Sequence, residues 1–105
     1  MGTTAQATRV YEETEYAVVD VADDSTTVFT GPCTLQGVYV NTVLSNHVLP
    51  IQDGSTTVVS VVALAAAGTS IRYPGIRFET SLVVNPNAAA TGSVTVAFRK
   101  ENNDR

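Results

Sequence analysis

Apolar and polar positions alternate along this chain in short stretches and nowhere settle into a helical period, a pattern that predicts strands throughout. Ser93–Lys100 is the clearest case, with Val94, Val96 and Phe98 on one face. Residues 76–84 read as one strand, with Ile76, Phe78, Thr80, Leu82 and Val84 on one face and Arg77, Glu79 and Ser81 on the other. Leu82 and Val96 are therefore expected in the core. Cys33–Thr42 is the longest strand expected. Leu35, Gly37, Tyr39 and Asn41 would share one face, and Gln36, Val38, Val40 and Thr42 the other. Apolar residues fall on both, which implies burial or an interface on each side. Gly37 within it marks a bulge or a close backbone approach.

Turn residues divide the rest. Residues 22–25 (Ala-Asp-Asp-Ser) separate a short apolar stretch, 17–21, from Thr26–Thr30, which Gly31-Pro32 closes. A short strand at 47–52 contains Pro50, which belongs at a sheet edge or a bulge because it has no N–H to donate. Asp53-Gly54 is a tight-hairpin signal between that strand and 56–63. Residues 64–68 (Leu-Ala-Ala-Ala-Gly) are too few to nucleate a helix and read as a connection. Pro74-Gly75 is expected to be a turn between strands at 69–73 and 76–84. Residues 1–16 read as a flexible, small and polar arm with a possible edge strand over 9–15, residues 17–100 as the domain, and 101–105 as a frayed tail. The expected fold is all-β, an antiparallel β-sandwich of jelly-roll type with eight or nine short strands, since no crossover helices are available for a parallel sheet.

Composition strengthens this reading. Val (17), Thr (15) and Ile (3) supply 35 of the 105 residues, so one in three is β-branched and suited to a pleated surface. That length holds one hydrophobic core and not two. The formal charge of −4 and only six basic residues disfavour nucleic acid and anionic membranes as partners. The start lacks a cationic segment followed by an apolar core, and no apolar run has the length of a membrane span. With one cysteine, Cys33, no internal disulfide can form.

Candidate chemistry is sparse. Ser45, His47 and Asp53 have the residue types of a nucleophile, base and orienting acid, but no nucleophile elbow or oxyanion loop accompanies them. One His and one Cys cannot close a zinc site, and the acidic residues lack calcium-loop spacing. No catalytic residue, metal ligand or cofactor is therefore assigned, and the chain reads as a non-enzyme. Glu12, Glu13 and Glu15, with Asp20, Asp23 and Asp24, concentrate negative charge early in the chain. They form either a solvated, edge-protecting rim or a strip that docks on a basic partner. Arg77 and Glu79 suit a surface ion ladder with Arg72 or Arg99, or a subunit interface. The candidate interface residues are Arg9, Tyr11, Glu12, Glu13, Tyr39, Arg77 and Glu79.

From Gly31 onward the chain reads GPCTLQGVYVNT, LPIQDG, AAAGT, RFETSLVVNP and ATGSVTV in succession. This order, over residues 26–100, resembles small β-sandwich virion proteins of tailed bacteriophages, of the head decoration or cement type. Residues 1–25 show no counterpart. The resemblance implies a structural protein on the outer capsid surface, made in the host cytoplasm, with the major capsid protein as partner and a homo-oligomer, a trimer, as its form. A tail or fibre module that binds a host receptor or glycan is the alternative. Neither carries functional residues over to this sequence.

Overall fold

The computed structural model describes residues 13–101. Among them are eight strands and no helix: β1 (Glu15–Asp20), β2 (Thr26–Thr30), β3 (Cys33–Thr42), β4 (Leu49–Asp53), β5 (Thr56–Val61), β6 (Ser70–Phe78), β7 (Ser81–Val84) and β8 (Ser93–Lys100). They form two four-stranded antiparallel sheets, ordered β1-β8-β3-β6 and β2-β7-β4-β5, packed as a sandwich. The expected all-β sandwich is the fold observed. The core lies between the sheets. Val19, Leu35, Val38, Val40, Phe78, Val94 and Val96 enter it from the first, and Leu49, Ile51, Val61, Leu82 and Val84 from the second. Phe29 and Phe98 meet across the gap with ring centroids 5.9 Å apart. Both Leu82 and Val96 are fully buried, as their strand patterns predict.

Four details of the sequence reading change. Pro74-Gly75 is not a turn, because β6 runs through it. Leu35 pairs with Ile76 and Gly37 with Arg72, so residues 73–75 bulge outward opposite Gln36. Strand β6 lies at the sheet edge, where a missing N–H costs no ladder bond, and Gly75 takes up the bulge with φ 91°. Residues 76–84 are not one strand either. The chain leaves the first sheet after Phe78, bends at Glu79-Thr80 and enters the second at Ser81, which leaves Thr80 exposed.

The two apolar faces assigned to β3 are one face with a phase slip. Cys33 and Leu35 point inward before the bulge at Gln36-Gly37, Val38 and Val40 after it. The inner side of β3 is therefore core, and of its apolar side chains only Tyr39 faces outward. Pro50 sits in an interior strand between β7 and β5 rather than at an edge. Its carbonyl accepts the Asn85 N–H at 3.1 Å just past the end of β7, so its nitrogen faces that side where no ladder partner remains.

The hairpin at Asp53 is as expected, with Gly54 and Ser55 between β4 and β5. Gly54 at φ 65° is the glycine that opens a type II′ turn. The arm and the strand expected over residues 9–15 lie mostly outside the described residues; Glu15 and Tyr16 belong to β1. At the other end Glu101, read as the start of a frayed tail, donates its N–H to the Pro32 carbonyl at 3.1 Å.

Candidate functional site

Alternation along β1, β3, β6 and β8 points every second side chain of the first sheet away from the core. Register then decides which of them meet. Tyr16 lies opposite Ala97, which neighbours Gly37, which faces Arg72. One step along, Val18, Thr95, Tyr39 and Ser70 form the next row. Tyr16 and Val18 are about 70% exposed (70% and 72%) and Tyr39 46%. Between the tyrosines the face dips into a concavity of about 360 Å³, lined among others by Thr14, Tyr16, Gln36, Tyr39 and Arg72. Gly37 and Ala97 lie on its floor because they carry little or no side chain. The glycine is required: a Cβ there would stand 2.7 Å from the Ile71 carbonyl oxygen.

The same face collects positive charge. Thr34 pairs with Arg77 on one side and Arg99 on the other, so these two arginines flank one position, and Arg72 lies further along β6. Arg77 reaches Glu79 through Nε at 3.4 Å and Glu101 through Nη1 at 2.7 Å. These groups are half exposed, so the pairs orient the guanidinium more than they stabilise the fold. Arg99 extends Nη2 to Thr14 Oγ1 at 3.5 Å, and its Nε is buried with no acceptor among the described residues. At the margin, Lys100 pairs with Glu15 at 3.2 Å and lies 5.6 Å from the centre of the Phe29 ring.

Of the candidate interface residues, Tyr39 and Arg77 share this outer face. Glu79 lies in the bend beyond β6 and joins them through Arg77, and Glu13 is exposed just before β1. Arg9, Tyr11 and Glu12 lie outside the described residues. Tyr16 is not among the candidates, and Arg72 and Arg99 enter the sequence reading only as ladder partners of Arg77 and Glu79. Arg77 pairs with Glu79 and Glu101 instead, while Arg99 lies across Thr34 from it. Tyr16 comes from a third strand, so only the pairing register brings it to this face.

Ser45 and His47 are brought together and Asp53 is not. Ser45 Oγ lies 3.1 Å from His47 Nδ1 and accepts the Thr91 N–H at 2.9 Å. The Ser45 backbone binds Thr91, His47 and Leu64, which makes it a junction between three loops. Leu64 is held there at φ 63°, a conformation unusual for a branched side chain. The Asp53 carboxylate instead accepts the N–H groups of Glu79, Thr80 and Ser81 at 2.9, 2.8 and 3.2 Å. Those bonds hold the carboxyl below the usual aspartate range, and they fasten the bend where the chain changes sheets.

Burial pushes the Cys33 thiol up to about 11, with the Asp53 charge adding to the shift and Arg77 opposing it. A thiol so placed stays protonated and packs as a small hydrophobe. Among the described residues no three His, Cys, Asp or Glu side chains gather as metal ligands. No family model, curated protein or solved structure matches this chain.

Proposed function

We propose that this chain is a structural protein of a tailed-phage virion that binds the major capsid protein on the outer head surface and stabilises the shell. The sequence order from Gly31 onward suggests the setting. The observation that carries the reading is the outer face of the first sheet, where exposed Tyr16, Tyr39 and Val18 lie among Arg72, Arg77 and Arg99. Tyrosine and arginine are the residues enriched where protein partners dock, because each offers a large stiff surface with a polar end. Mounting them on a sheet rather than on loops keeps the surface organised before contact. Carboxylates near the arginines sit to one side, at Glu79 and Glu101, so the face suits a partner surface richer in acid than this acidic chain as a whole.

The test uses heads purified with and without the protein. Heads that carry it should resist rupture by heat or chelator better, and Tyr39→Ala combined with Arg72→Ala should abolish copurification while the variant remains folded. Failure of the intact protein to bind heads would remove the reading.

A second reading draws on the same concavity. The exposed Tyr16 and Tyr39 rings, with Tyr73 also in the lining and Gln36 and Arg72 beside them, could stack on and hydrogen-bond a sugar ring, as a tail or fibre module bound to a host glycan would require. Localisation to tail tips, with binding to cells or glycans in place of heads, would put this reading first.

A further inference from the structure

Among the described residues the sandwich has four sheet edges, and they are not equally protected. An edge strand displays unpaired N–H and C=O groups, and proteins blunt it with charge, proline, bulges or brevity. In the first sheet, β1 carries Glu15 and Asp20, while β6 carries Arg72, Arg77 and the Pro74 bulge. In the second, β2 is only five residues long, breaks register between Thr27 and Phe29, and adjoins Asp23-Asp24 on one side and Gly31-Pro32 on the other.

The fourth edge, β5, differs. Thr56–Val61 reads TTVVSV, with neither charge nor proline, and from Thr56 to Val58 and at Ser60 it is exposed. No titratable side chain occurs between Asp53 and Arg72. The strand bonds to β4 alone, and none of its residues takes part in a backbone hydrogen bond outside that ladder among the described residues. Pro50 directs its carbonyl towards β7, so Leu49 and Ile51 face β5 and bond with Val61 and Val59. By alternation, Ser60 points its own N–H and C=O at open solvent. Its sole irregularity is the bulge at Val58, whose backbone is out of step with the β4 ladder.

We infer that β5 is a self-association edge, where it pairs antiparallel with β5 of a second copy across a two-fold axis and joins the two second sheets into one. Charge selects the occupant. Copies of a chain with net charge −4 repel one another. Strand β2 is uncharged too but has Asp23-Asp24 beside it, whereas β5 lies within residues 54–71, which hold no charge, so it is the edge where copies can meet with the fewest opposing like charges. The strand is also self-complementary, because Thr and Val set against Thr and Val are favourable cross-strand neighbours. A two-fold contact is isologous and closes on itself, so it yields a pair and not an open chain. Exposed Val62 and Leu64, just beyond the strand, extend the apolar margin of the same edge. The resemblance to decoration proteins implies a trimer, whereas this edge points to a dimer. The inference concerns the isolated protein and stands or falls apart from capsid binding.

Sedimentation equilibrium or native mass measurement on the full chain, over a wide concentration range, gives the test. The wild type should reach twice the 11.0 kDa mass of one chain. Val58→Lys and Val58→Glu place charge at the middle of the strand. Each alone should weaken pairing at least about tenfold, as expected for like charges set across a strand pair, and mixing the two should restore a heterodimer. Ser60→Pro, which removes the outward N–H and leaves the β4 ladder intact, should also give monomers with an unchanged far-UV spectrum. A wild type that stays monomeric throughout, or forms trimers, overturns the inference. So does a dimer that survives all three substitutions.

Discussion

The two sheets share a core and have the same number of strands, yet they meet solvent differently. The first has charged or proline-bearing edges and gathers exposed tyrosines and arginines on its outer face. The second has edges made of Thr, Val, Phe and Ser, and from Asp53 to Arg72 the chain crosses its outer strand without a titratable group. The proposed contact by side chains and the proposed contact by backbone thus fall on different sheets. A sheet whose face is used needs its edges closed, so that partners arrive from one direction only. A sheet whose edge is used needs that edge free of charge. This division, more than the sandwich itself, separates the two surfaces proposed for function.

Substitutions can break the comparison at several levels. The largest effect is expected in the shared core. Leu82→Ala in the second sheet should cost about 2–5 kcal/mol and Val96→Ala in the first somewhat less, read as denaturant midpoints at constant slope. A silent Leu82→Ala would mean that β7 does not pack where its burial places it. Next, Gly37→Ala forces a Cβ against the Ile71 carbonyl and should cost about 1–3 kcal/mol through strain at the β3–β6 bulge. The same change raises the floor of the concavity, so a variant that stays folded and still binds its partner normally would show that the dip is not part of the contact.

Asp53 links the sheets at the bend, and Asp53→Ala should cost about 1–3 kcal/mol, with Asp53→Asn intermediate because one acceptor oxygen remains. Its folded pKa is depressed, so its contribution is fully present above the ordinary value of 3.8 and lost as pH falls through the lower folded value. Acid denaturation profiles of the wild type and Asp53→Ala should therefore differ above that range and converge below it. Smallest is Arg77→Ala, at about 0–1 kcal/mol and shrinking with salt, since its two carboxylate partners are solvated. A loss well beyond that would make the outer face of the first sheet structural rather than available.

Fold class was legible because β-branched residues and strict alternation are local signals, and Ser93–Lys100 follows them without interruption. Pro74-Gly75 misled because the same dipeptide serves a turn or an edge bulge, and the choice depends on whether β3 lies alongside. The break at Glu79-Thr80 was invisible for a related reason. Alternation continues in phase through Phe78 and Leu82 although the chain passes from one sheet to the other, and the carboxylate that fastens the bend comes from Asp53, far away in sequence. The proposed docking face was half legible. Tyr39 stands out singly and Arg77, Glu79, Arg72 and Arg99 as a charged set, but Tyr16 joins them, and the arginines take their order on the face, only through register, which no single segment encodes.

The pairing of β1 with β8 has a kinetic consequence. Among the described residues β1 bonds only to β8, from Glu15 opposite Phe98 to Asp20 opposite Ser93, so the first of the described strands to be synthesised has no ladder there until the last of them is complete. Closing so long a loop is entropically costly, and a topology dominated by such distant pairings folds slowly, on the order of milliseconds to seconds. During that interval β1 waits as an unpaired ribbon with Tyr16 and Val18 in water. Its charged ends, Glu15 and Asp20, are then what discourages strands of neighbouring nascent chains from taking the place reserved for β8.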